Sequence, residues 1–196
     1  MLLLLPVLLA LLVGLARGGS LRALADLLLR LRGGGFFLAA LAVQIALYLP
    51  PLRASTLVAH AGGAVYVASL ALALVGALRN WGLGPAVRVA LLGLALNTTV
   101  IVANGGYMPV NVGAMRAVRG ARTVHEIGET RHFNNTRLAS GATRLGILGD
   151  VIPMRIVGDV GNVYSVGDVL LAAGIAALVY RALRPRGRAR RAGAAV

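Results

Sequence analysis

Apolar residues run through most of the first hundred positions, broken only by short polar or glycine-rich stretches, and resume near position 165. Runs of this length with few charges predict helices suited to a bilayer. The pattern divides the chain into a first span over 1–17, an amphipathic helix over 19–32, and spans over 34–49, 55–78 and 83–103. A polar segment over 104–163 follows, then a last span over 164–183 and a basic tail over 184–196. The expected fold is all-α: a polytopic membrane helical bundle of about five transmembrane helices in one domain. It adds one interfacial helix and a structured extracytoplasmic segment.

The breaks carry their own signals. The 1–17 stretch is short for a full crossing at about 1.5 Å per residue. Its only charge, Arg17, follows the apolar run, which favours a retained helix over a cleaved secretory signal. In 19–32, Ser20 is an N-cap candidate, and Leu21, Leu24, Leu28 and Leu31 share one face. Arg22, Asp26 and Arg30 stand four apart on the other face, placed for two ion pairs. Such a helix suits the membrane interface. Gly33–Gly35 predicts a turn, and Pro50–Pro51 ends the second span. Gly62, Gly63, Ala64 and Ala68 are small enough to let neighbouring helices approach closely. Trp81 suits an interfacial turn, and Arg88 can snorkel from its helix end.

Composition supports the same class. The chain is 58% hydrophobic, too much for a soluble domain of this size. Its net charge of +14 does not imply nucleic-acid binding, because the basic residues flank apolar spans instead of forming one solvated face. All 20 basic residues are arginine, and with abundant Ala, Gly, Leu and Val this fits a GC-rich bacterial genome. The absence of cysteine excludes disulfides, thiol catalysis and thiolate metal sites. Placing the N-terminus outside assigns twelve arginines to the cytoplasmic side and one, Arg53, to the short outer loop, with seven in the long segment. Loops near that segment's length largely escape the positive-inside rule, so the asymmetry predicts an outer N-terminus and a cytoplasmic C-terminus.

The segment from Asn104 to Asp168 holds five of the six acidic residues and two of the three histidines. Beneath it, Gln44, His60, Asn97 and Asp168 are all placed in the outer half of their spans, with Gln44 roughly 8 Å and Asn97 roughly 10 Å deep. Polar side chains at such depth either join helices or line a site. Their shared level predicts an outward-facing polar vestibule that also includes Asn104 and Asp150. Three Gly-Asp-Val triplets place Asp150, Asp159 and Asp168 nine residues apart. Gly-Asp is foremost a turn and cap signature, so Asp168 is expected to cap the last span.

His125, Glu129 and His132 would share a helical face, and such a set can bind Zn or Fe. The spacing departs from His-Glu-x-x-His, and Gly128 weakens a helix there. Arg116, Arg119 and Arg122 recur every third residue and suggest a short interfacial helix facing anionic lipid. Nucleophile-elbow, P-loop and dinucleotide motifs are absent from the sequence.

Arg17-Gly-Gly-Ser-Leu, Asn104-Gly-Gly-Tyr-Met-Pro-Val, Leu148-Gly-Asp-Val-Ile-Pro and Ser165-Val-Gly-Asp-Val-Leu-Leu resemble a bacterial membrane family known as domain of unknown function 5317. The resemblance covers nearly the whole chain and implies a multi-pass bacterial membrane protein, without activity, cofactor or substrate. From the residues, the expected function is binding of a small polar or headgroup-bearing ligand, or a partner, at the outer vestibule. One alternative is a membrane-embedded hydrolase or transferase using Asp150, Asp168, His125 and His132. Another is a small permease, which would require a homo-oligomer. Membrane lipid is the expected partner, and nucleic acid is not.

Overall fold

The structure is a computed structural model that describes residues 4–49, 55–130, 135–157 and 160–184. Seven α-helices lie among these residues. They are α1 (Leu4–Ala16), α2 (Leu21–Arg30), α3 (Gly34–Tyr48), α4 (Thr56–Leu78), α5 (Pro85–Ala103), α6 (Val112–Thr130) and α7 (Val166–Leu183). The chain is mostly helical, as its apolar periodicity predicts. Start signals are local: Ser20 and Ser55 accept hydrogen bonds from Ala23 and Val58 N–H, capping α2 and α4. Pro85 opens α5, where a missing N–H costs nothing.

Three helices, α4, α5 and α7, are long and apolar enough to cross a membrane. A fourth crossing is added if α2 and α3, bent by 92° at their junction, count as one broken span or re-entrant loop. α1 has 13 residues, about 20 Å of helix against a hydrocarbon core of about 30 Å. Large apolar side chains such as Leu38, Leu41, Leu92 and Val102 face outward, while the polar Ser69, Asn80, Asn97 and Ser165 are buried. This polarity suits an apolar surrounding, where Leu gains nothing by burial and polar groups seek one another.

Small residues set the packing. In α5 and α7, Gly93 lies against the Gly167 carbonyl, and Gly174 against the Ala86–Ala90 turn, so the two backbones nearly touch. α1 joins them through Gly14, where an added Cβ would lie 2.7 Å from Leu183. Gly76 of α4 receives the ring of Phe37 and the Cβ of Phe36 from α3. At the opposite end of α4, Gly63 abuts the Gly105–Gly106 turn, and Gly106 takes the left-handed φ of 93° open to glycine. The expected role of Gly63 in close approach is thus met by a turn as its neighbour.

These contacts give the bundle two unlike ends. At one, Arg17 reaches Tyr180, Arg79 stacks on Phe36, Arg88 on Trp81, and Arg181 approaches Gly84. Buried Asn80 clamps the α2–α3 bend there. Its Oδ1 accepts from Arg32 N–H at 2.8 Å, and its Nδ2 donates to the Arg32 and Gly76 carbonyls at 2.8 and 2.7 Å. The two ion pairs expected on α2 do not form: among the described residues the sole ion pair is Arg122–Glu126. Exposed pairs gain little over water, so nothing holds Asp26 to its neighbours.

The other end carries the polar segment, and here the all-α expectation needs correction. Residues 104–163 include two small sheets. β1 (Met108–Val110) pairs in parallel with β2 (Thr136–Leu138), and β3 (Ile152–Val157) forms an antiparallel hairpin with β4 (Val160–Tyr164). α6 covers them, burying Ala114, Met115, Val118, Val124 and Ile127 against Val110 and Val163. Gly120, at φ 82° and ψ 171°, breaks α6 into two arms. The three-residue β1 and β2 are too short to show a period of two, so the residue pattern carries no strand signal there. A second cluster of Leu70, Val100, Ile101 and Met108 seats β1 directly on α4 and α5.

Candidate functional site

The site grows from the junction of α5, α7 and β1. Ser165 leaves β4 in extended conformation and starts α7. Its Oγ accepts from Asp168 N–H at 2.9 Å, while Asp168 Oδ2 accepts from Ser165 N–H at 3.2 Å. This is a capping box, each side chain satisfying the other's orphan donor. The expected cap at Asp168 is therefore corrected: Ser165 is the N-cap, and Asp168 closes the box from the third helical position. The Ser-x-x-Asp spacing carried that signal.

α5 supplies the third member. Asn97 Nδ2 donates to Asp168 Oδ1 at 2.7 Å, and Asn97 Oδ1 accepts from Ser165 Oγ at 2.8 Å. The ring of bonds fixes the amide's orientation, since only the NH2 can face the carboxylate and only the oxygen can receive the hydroxyl proton. Gly167 lies directly beneath the Asn97 amide oxygen, which leaves no space for a Cβ. Within this short stretch Ser165 thus supplies the cap, Gly167 the clearance and Asp168 the carboxylate.

Asp150 arrives from the segment. Its N–H donates to the Pro109 carbonyl at 2.8 Å, and its carbonyl accepts from Asn111 N–H at 2.8 Å, which adds Asp150 to β1 beside Val110. The next amide, Val151, is held by the Tyr164 carbonyl at 3.1 Å. Gly149 lies against Pro109 too closely for any side chain. The Met-Pro and Gly-Asp motifs are therefore one structural unit. Among the described residues, no hydrogen bond or ion pair engages the Asp150 carboxyl. Burial pushes it up to about 8, and the Asp168 charge adds to the rise. At neutral pH Asp150 retains a proton that it can donate.

A match to the family model of DUF5317 runs over residues 28–180, from α2 to the last turns of α7, and takes in all of these groups. The chain belongs to this family of unknown function. Neither curated proteins nor solved structures yield a match. In this DUF5317 chain, the structure brings together Asn97, Ser165, Asp168 and Asp150 from α5, the start of α7 and the segment between them.

The other expected site residues are placed as follows. Asn104 ends α5 at the same end of the bundle. Its Nδ2 donates to the Val100 and Arg144 carbonyls, both at 2.8 Å, and its Oδ1 accepts from Arg144 N–H at 3.0 Å. Gln44 donates to buried Ser69 at 3.1 Å, and Ser69 passes its own proton to the Tyr66 carbonyl at 2.6 Å, a link between α3 and α4. His60 is exposed, with Nδ1 2.8 Å from the Thr56 carbonyl of its own helix. Neither Gln44 nor His60 bonds to the Asn97 network. His125 lies on an exposed face of α6. His132, Asp159 and the Glu129 side chain lie outside the described residues, within which no cluster of three metal-ligating groups occurs. Ser165, Ser69 and the Tyr66–Asn135 bond of 3.1 Å were absent from the sequence-derived set. Of these, Ser165 alone had a legible motif.

Proposed function

We propose that this DUF5317 protein is a multi-pass protein of the bacterial cell membrane whose outer mouth binds a small polar or headgroup-bearing ligand between Asp150 and Asp168. The reading has five crossings, an outer N-terminus, a cytoplasmic C-terminus, and 104–163 as the extracytoplasmic cover of the vestibule. Two unlike bundle ends support it, one lined by arginine and one carrying the polar segment over Asp150 and Asp168.

The observation that carries the site is the contrast between the two carboxyls. Asp168 is satisfied by Asn97 and Ser165, whereas Asp150, held rigidly by its backbone, is engaged by no described side chain. A half-buried carboxyl with no protein donor keeps only part of its hydration, and a ligand with N–H donors or a positive charge would supply what is missing. Amines and ammonium-bearing headgroups fit that description. A hydrolase or transferase is the second reading, favoured by the proton that Asp150 retains near neutral pH, as a general acid requires.

A thermal-shift screen of purified protein against ethanolamine, choline, polyamines and neutral polyols tests the binding reading. Amines should stabilise the wild type and leave Asp150→Asn unmoved. Equal responses of the two proteins across the panel would sink it.

A further inference from the structure

At the arginine end of the bundle two cations converge on one aromatic ring. Arg17, at the end of α1, donates through Nη1 to the Tyr180 hydroxyl, and its Cζ lies 5.9 Å from the ring centroid. Arg184, which follows α7, brings its Cζ to 5.7 Å from the same centroid. Both guanidinium groups are exposed, and among the described residues no carboxylate pairs with either. The packing enforces this meeting. Gly14 and Gly19 lie against Leu183, so the turn after α1 passes directly over the end of α7. The fold thereby brings two like charges to one ring, with no carboxylate of a described residue paired to either.

The two helices that flank the Arg17 turn carry uncovered leucines. Leu9 and Leu12 of α1 are 62% and 63% exposed, and Leu28 and Leu29 of α2 are 61% and 86% exposed. An occupant therefore meets guanidinium donors at its head and uncovered leucine along its tail.

We propose that Arg17, Tyr180 and Arg184 bind the phosphodiester headgroup of an anionic phospholipid, whose acyl chains lie along the exposed leucines of α1 and α2. A guanidinium fork matches phosphate oxygens, and the Tyr180 hydroxyl, while accepting from Arg17, has its own proton to donate. Free phosphate would use the same donors but gain nothing from the leucines, which selects the lipid. The proposal rests on the membrane reading, under which this end faces the anionic cytoplasmic leaflet.

The test is native mass spectrometry of the full chain in neutral detergent, titrated separately with phosphatidylglycerol, phosphatidylcholine and inorganic phosphate. The wild type should retain phosphatidylglycerol in preference to the other two. Arg17→Gln/Arg184→Gln should weaken its binding about thirtyfold, while Arg116→Gln/Arg119→Gln, with the same loss of charge at the other end, should not. If the glutamine pair fails to fold, Arg17→Lys/Arg184→Lys carries the test, because it keeps the charge and loses the planar fork. Unchanged binding in the folded site variants overturns the site. Equal retention of phosphatidylcholine, or displacement of the lipid by inorganic phosphate, overturns the choice of ligand. Release of wild-type protein from membranes by alkaline carbonate would instead overturn the membrane reading, and the lipid site with it.

Discussion

Asp168 offers its two oxygens to two separate donors, Asn97 Nδ2 and the Ser165 amide, and this decides what its replacement does. Judged as a simple cap, Asp168→Asn should be nearly harmless, since Asn also caps. In the observed network an amide has only one oxygen, so one donor loses its acceptor. Leaving a buried donor unsatisfied costs about 1–3 kcal/mol. Asp168→Asn should accordingly lower stability measurably in thermal or chemical unfolding, and a variant as stable as wild type would contradict the closed ring. Asp150 behaves oppositely. Its native carboxyl sits near 8 against 3.8 for the free group, so the folded state holds its proton more tightly than the unfolded chain. The stability this gives is fully present below pH 3.8, declines as pH rises through 8, and then levels off. Asp150→Asn mimics the protonated acid and lacks that decline. The difference in melting temperature between variant and wild type should therefore grow in the variant's favour from pH 5 to 9. A difference that stays constant with pH would remove the buried-acid description.

Between elements, contact is decided by what is missing from side chains. Gly93, Gly167 and Gly174 let α5 and α7 approach until backbone meets backbone. Gly174→Ala places a methyl group against the Ala86–Ala90 turn, and overpacking of this kind costs about 1–3 kcal/mol. Gly167→Ala strikes the Asn97 amide as well, so it should disturb both the packing and the polar ring. We expect a larger loss of stability from Gly167→Ala than from Gly34→Ala, where nothing lies within 4 Å of the added methyl. Equal losses in unfolding experiments would show that the close approach is not what these glycines secure. Asparagines do the complementary work. Asn80 and Asn104 each grip a distant peptide through both amide atoms, at Arg32 and Arg144. One holds the α2–α3 bend and the other ties the segment's loop to α5. Neither partner is visible in sequence, because 48 and 40 positions separate them.

At the scale of the molecule, the unlike ends make topology the decisive experiment. A reporter active only outside the cytoplasm should work after Arg53 or within 116–144 and fail after Arg184; activity at the last site would reverse the orientation. Apolar run length, composition and the spacing of caps are properties of neighbouring residues, so the sequence alone determined the mostly helical class and the family. Lengths and charge counts also led to five spans, of which three stand among the described residues as long apolar helices, with a fourth if α2 and α3, meeting at 92°, cross together. That bend depends on Asn80 and on Phe36 and Phe37 against Gly76, contacts that no local pattern encodes. The short strands were hidden for the same reason: β1 is a strand because β2 and Asp150 bond to it, and not because of its own three residues. The candidate site divides along this line too. Polar residues standing in apolar helices marked Asn97 and Asp168, and the Gly-Asp motif marked Asp150. Tertiary structure alone decided that Asn97 meets a residue 71 positions away, that Gln44 and His60 bond elsewhere, and that Asp150 retains its proton. Desolvation and hydrogen bonding depend on which groups the folded chain brings within a few ångströms, and sequence separation does not report that distance.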